Sequence, residues 1–164
     1  MKHIIVLRHA KSNWSASYGG ADVNRPITEK ANQRATKTGK MMAEKGIAID
    51  FALVSVALRT QQTFRAFCQG YGKTIVSDIK NEIYRGDLKT ILGLVQNLDG
   101  SHNTVMLVGH EPTCSFFTEQ LLKSLNQEIN YRTSTIAKID FEIKSWTDAD
   151  WMIGSLDFIE RAKL

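Results

Sequence analysis

Ile4-Ile5-Val6-Leu7-Arg8-His9-Ala10 is an apolar run that stops abruptly at two basic side chains. A short apolar run bounded by charge reads as a buried strand. In α/β folds the ligand crevice lies beyond the carboxyl ends of such strands. An arginine and a histidine are poor core residues there and good phosphate-handling groups. Arginine presents a planar fork of donors that matches phosphate oxygens, and neutral histidine is a nucleophile near pH 7.

Two further strand ends repeat the pattern. Phe51-Ala52-Leu53-Val54-Ser55-Val56 leads into Ala57-Leu58-Arg59-Thr60-Gln61-Gln62-Thr63, where a helix opens. Val105-Met106-Leu107-Val108 runs into Gly109-His110-Glu111-Pro112. Three apolar strands therefore deliver Arg8 and His9, Arg59, and His110 to places where strand gives way to helix. The recurrence carries more weight than any one of these residues alone.

Leu7-Arg8-His9-Ala10-Lys11-Ser12, Arg25-Pro26-Ile27-Thr28-Glu29, Leu58-Arg59-Thr60-Gln61-Gln62-Thr63 and Val108-Gly109-His110-Glu111-Pro112 together resemble the histidine phosphatase superfamily. The opening and the small size look most like its SixA-type phosphohistidine phosphatase branch. The resemblance runs from Arg8 to about Trp151. It departs from the family pattern at Val56, where proline is usual, at Ala31 for glycine, and at Glu111 for the branch's asparagine. It implies a phosphoglycerate mutase-like fold, with His9 as the nucleophile and Arg8, Arg59 and His110 as the phosphate-binding groups. A leaving group also needs a proton. Glu82 resembles the family's general-acid position, and Glu111 lies near where acid-phosphatase relatives carry an aspartate. At a helix N-terminus Glu111 would be held ionised, so Glu82 is the preferred acid.

At 164 residues the chain is expected to be one domain, 1–164. The net charge of +4 comes from basic residues scattered along the sequence, so neither a nucleic-acid nor a membrane partner is expected. Cys68 and Cys114 have no metal-ligand spacing, and neither begins a Cys-x5-Arg phosphate loop, because Thr74 and Gln120 stand six positions after them. They read as buried free thiols. No cofactor or metal is expected. No apolar run approaches 18 residues, and Met1-Lys2-His3 leads straight into a strand, so the protein is expected in the cytoplasm.

The organisation predicted is a loop over 11–27, then a helix from the N-cap Thr28 to Lys45 with Gly46 beyond it. A second helix follows Ala57 and ends near Gly70-Tyr71-Gly72. Thr74-Ile75-Val76 reads as a short strand and Leu88–Leu98 as a helix with Ile91, Leu92 and Val95 inward. Pro112 fits a first helical turn, with Phe117, Leu121 and Leu125 repeating every four residues. Ser134–Ile143 alternates like a half-exposed strand, and Trp151-Met152-Ile153-Gly154 begins another. Alternating strands and helices followed by a strand pair predict an α/β protein, a three-layer α/β/α sandwich around a mostly parallel mixed sheet. The expected partner is a phosphohistidine-bearing protein; the other reading is a small phosphorylated substrate handled by a phosphomonoesterase or mutase.

Overall fold

Six strands form one sheet in the computed structural model, which describes residues 1–14 and 18–164. In chain order the elements are β1 (Lys2–Arg8), α1 (Glu29–Glu44), β2 (Phe51–Ser55), α2 (Leu58–Tyr71), β3 (Ser77–Lys80), α3 (Asn81–Arg85), α4 (Leu88–Gln96), β4 (Thr104–Gly109), α5 (Thr113–Leu121), β5 (Thr135–Phe141) and β6 (Ser155–Arg161). The strand order is β3-β2-β4-β1-β5-β6. The first four are parallel, β5 runs antiparallel to β1, and β6 pairs antiparallel with β5. The predicted loop at 11–27 includes residues 15–17, which lie outside the described residues.

Alternation along the strands divides the core between the two faces of the sheet. Ile5, Leu7, Ala52, Val54, Met106 and Val108 pack with Met42 of α1 and Phe67 and Tyr71 of α2. Ile4, Val6, Leu53, Val105 and Leu107 pack with Ile83, Ile91, Leu92, Val95, Phe117 and Leu121 of the other three helices. This is the expected α/β/α sandwich. Both faces of the sheet are covered by helices, so β4 is buried along its whole length.

Helix α1 starts where Thr28 accepts a hydrogen bond from the Ala31 amide (3.2 Å), and the chain turns beyond it through Gly46 at φ 69°. Helices α1 and α2 touch backbone to backbone. A Cβ on Gly39 would lie 1.9 Å from the Phe67 carbonyl oxygen, and one on Gly70 would lie 1.8 Å from that of Thr36. Only glycine permits this approach.

Three predicted boundaries are corrected. The strand expected at Thr74-Ile75-Val76 begins later, at Ser77, because Ile75 turns down into the core and only the Val76 carbonyl joins β2. Helix α5 stops at Leu121, since Leu122 and Lys123 are drawn onto Gly154, and Leu125 is left exposed. That same capture delays the last strand. The Met152 and Gly154 amides donate to Gln120 and Leu121, Met152 sits at φ 60°, and β6 starts at Ser155 rather than within 151–154. Among the described residues no helix is long and apolar enough to cross a membrane.

Candidate active site

β1 and β4 are neighbours, and their register places Arg8 opposite Gly109. The His9 amide continues the ladder by donating to the Gly109 carbonyl (3.0 Å), so His9 and His110 emerge side by side. Their rings lie 5.3 Å apart, centroid to centroid. Arg59 comes from the first turn of α2, beyond β2. Its turn is tied to the nucleophile's strand by Thr63, whose hydroxyl donates to the Arg59 carbonyl (2.6 Å) and accepts from the Ala10 amide (2.8 Å).

The His9 ring is oriented by one bond. Its Nδ1 lies 2.7 Å from the Ala10 carbonyl oxygen. A carbonyl can only accept, so Nδ1 carries the proton and Nε2 keeps its lone pair. Burial pushes the His9 pKa down from 6.5 to about 4; Arg59, Arg8 and Arg25 push the same way, against the Ala10 bond that raises it. Desolvation is thus the larger reason that this ring stays neutral, and the neighbouring arginines are the smaller one.

His110 is also held neutral. Burial lowers its pKa to about 3, with His9 and Arg59 adding to the effect. Its Nε2 lies 2.7 Å from the Ser55 hydroxyl, and its Nδ1 is buried without a hydrogen-bond partner among the described residues. If Ser55 donates to Nε2, Nδ1–H remains as a donor with no acceptor among the described residues. Arg8 gives Nη1 to the Tyr131 carbonyl (2.7 Å), and its Nε likewise has no partner among the described residues.

Asp22 is the site residue that sequence reasoning missed. It lies in a 3-10 turn at Asp22–Asn24. Its carboxylate bonds Arg25 (2.8 Å), Arg59 (3.1 Å) and the Tyr84 hydroxyl (2.8 Å), while its carbonyl accepts from Arg59 Nη1 (3.0 Å). These partners, the Arg25 and Tyr84 hydrogen bonds foremost, hold the acid well below the usual carboxylate range. Tyr84 in turn stands edge-on to His110, with centroids 5.5 Å apart. Nothing local in the sequence marks Asp22, which stands in a polar loop. Ser55 did carry a signal: a hydroxyl at the end of an otherwise apolar strand must find a partner.

The other residues singled out from sequence fall as follows. Glu82 is exposed on α3, and among the described residues its carboxylate makes no hydrogen bond or ion pair. Glu111 bonds the Ser115 amide (2.8 Å) and hydroxyl (2.6 Å), capping the start of α5. Arg25 is buried, bonded to Ser12 and stacked 3.5 Å over the exposed Trp14. Cys114 is buried, which drives its thiol pKa far up, and Cys68 is half-buried. Among the described residues no group of three His, Cys, Asp or Glu is placed to hold a metal.

Residues 4–92 match the family model of the histidine phosphatase superfamily (branch 1). The 2,3-bisphosphoglycerate-dependent phosphoglycerate mutase of Zymomonas mobilis subsp. mobilis is 37% identical over 78 residues, 46% of this chain and 33% of that protein. The matched stretch thus spans about a third of that relative's length. The SixA structure from Nakamurella multipartitia superposes with a TM-score of 0.85 at 24% identity, covering 98% of this chain and 95% of that one. The protein histidine phosphatase SixA, solved with tungstate, superposes at 0.81 with 18% identity over 97% and 96% of the two chains.

Proposed function

Because this chain belongs to the histidine phosphatase superfamily, we propose that residues 1–164 act as one domain that removes phosphate from phosphohistidine in a protein, in the cytoplasm and without a metal or cofactor. The observation that carries the reading is the His9 ring. It is neutral, its Nδ1–H is bonded to the Ala10 carbonyl, and among the described residues its Nε2 has no hydrogen-bond partner, with Arg8, Arg59 and His110 close by.

His9 Nε2 attacks phosphorus as the bond from phosphorus to the substrate's ring nitrogen breaks. The departing imidazole carries a proton on its distal nitrogen and leaves neutral. Phosphorylation makes the His9 ring cationic, and the Ala10 carbonyl holds its Nδ1–H throughout. Water then attacks phosphorus, the Nε2–P bond breaks with its electron pair returning to Nε2, and inorganic phosphate leaves as the dihydrogen monoanion with both of the water's protons. Phosphoryl transfer asks mainly for positioning and for charge stabilisation on the equatorial oxygens. Arg8, Arg59 and the His110 Nδ1–H are the donors for that charge. The conjugate acid of imidazole has a pKa of about 6.5, so the leaving group needs little help from a protein acid. An unengaged Glu82 and a Glu111 committed to a helix cap fit such a substrate better than a sugar phosphate.

The second reading, a small-molecule phosphomonoesterase or mutase, is favoured by the resemblance to phosphoglycerate mutases. Phosphate release from a phosphohistidine protein, a sugar phosphate and an aryl phosphate decides between them. The highest kcat/KM on the phosphohistidine protein is expected; the highest value on the sugar phosphate would transfer the assignment to the second reading.

A further inference from the structure

Beside His9, a cleft of about 650 Å³ runs between α1, residues 132–134 and the end of β6. Its lining contains Arg8, Lys11, Lys30, Arg34, Arg132 and Arg161, and no carboxylate. Six cations in one cleft exceed the +4 net charge of the whole chain. Among the described residues none of the six forms an ion pair, although other lysines and arginines of the chain do. Charges scattered along the sequence are thus gathered by the fold.

The cluster is built and anchored. Arg34 donates to the Ala162 carbonyl (2.5 Å), and Arg161 Nε donates to the Thr133 carbonyl (2.7 Å). Both bonds tie α1, the 132–134 segment and the chain end together and fix where the guanidinium groups stand. The same segment reaches the nucleophile, because the Ser134 amide donates to the His9 carbonyl (3.2 Å). Ser134 lines the cleft, is fully buried at φ 62°, and its hydroxyl has no partner among the described residues. Arg161 is easier to deprotonate than an ordinary arginine, through burial first and then repulsion from Arg34 and Arg132. Like charges held together without a counterion favour an incoming anion.

We propose that this cleft is a second anion subsite, in which Arg34, Arg132 and Arg161 receive a carboxylate of an aspartate or glutamate flanking the phosphohistidine of the substrate protein. The inference rests on the phosphohistidine reading and adds the class of substrate surface, an acidic one. Guanidinium forks are suited to bidentate carboxylates, and the opening beside His9 lets one bound segment fill both sites.

The test compares phosphohistidine peptides of one length whose flanking residues are acidic or their amide counterparts, with an aryl phosphate reporting the chemistry alone. We expect kcat/KM to favour the acidic peptide by about tenfold or more at low salt, carried by KM and shrinking as salt rises. R132Q should reduce that ratio several-fold. Arg132 is exposed and its side chain makes no bond among the described residues, so this variant keeps the fold. R34Q and R161Q should reduce the ratio further. Equal rates on the two peptides, or a ratio unchanged in all three variants, would overturn the subsite while aryl phosphate turnover stands. Loss of turnover on every substrate would overturn the catalytic reading and this one with it.

Discussion

The two cationic ends of the site differ in what balances them. At one end Arg59 and Arg25 share Asp22, a carboxylate supplied by the protein itself. At the other, Arg34, Arg132 and Arg161 meet no carboxylate from the described residues. The first end is therefore held in place before substrate arrives, with the Arg59 Nη groups already bonded to Asp22. The second keeps its charge for something outside the chain. His9 lines the second, buried and neutral. The balanced end suits the constant part of the reaction, the phosphoryl group, and the unbalanced end suits the part that varies among substrates.

The largest test of the balanced end is Arg59→Ala. Removing a donor aimed at developing charge typically costs about 10²–10³ in kcat, and that loss is expected here in single-turnover kinetics. A loss confined to KM would mean that Arg59 binds substrate and transition state equally. Next in size is a pH effect on stability. His9 is neutral in the folded protein down to about pH 4, against 6.5 when unfolded. Below 6.5 the unfolded chain takes up a proton that the folded chain refuses, so stability is complete above 6.5 and is lost as pH falls towards 4. The loss should be on the order of 3 kcal/mol. His110, lowered to about 3, adds a loss of its own over the same range, so His9→Gln should reduce the slope in denaturant titrations without abolishing it; an unchanged slope would place the proton uptake elsewhere.

A smaller effect should follow from Asp22→Asn. Its carboxylate competes with any oxyanion for Arg59, so neutralising it should lower the inhibition constant of inorganic phosphate several-fold, roughly 1 kcal/mol in the range of a partly exposed charge pair. Weaker inhibition would instead make Asp22 the group that positions Arg59. The smallest change is expected for Glu82→Gln, below about threefold on a phosphohistidine peptide. A loss of the usual general-acid size, about 10²–10⁴-fold, would restore Glu82 as the proton donor.

These two ends also differ in how far they could be read from sequence. Arg8, His9, Arg59 and His110 each follow an apolar strand, and parallel strands end on the same edge of a sheet. Local pattern was therefore enough to nominate them together. Asp22 was invisible, because its role depends on a 3-10 turn folding back over α2. The arginine cleft was invisible for the same reason: Arg34, Arg132 and Arg161 are about a hundred and thirty positions apart at the extremes and meet only because β5 and β6 bring the chain end back beside α1. The boundary errors have a common cause too. Residues 152–154 capture the end of α5 and delay β6, a contact between segments that no periodicity records.

The central claim is that a neutral His9 takes the phosphoryl group on Nε2. The direct measurement is to mix the protein with a phosphohistidine peptide, quench within one turnover in alkali, and locate the phosphate by mass spectrometry and phosphorus NMR. The account predicts an acid-labile phosphoramidate on Nε2 of His9, and none on the His9→Gln protein. Phosphate on His110, Ser12 or Cys114, or full turnover by His9→Gln, would contradict it.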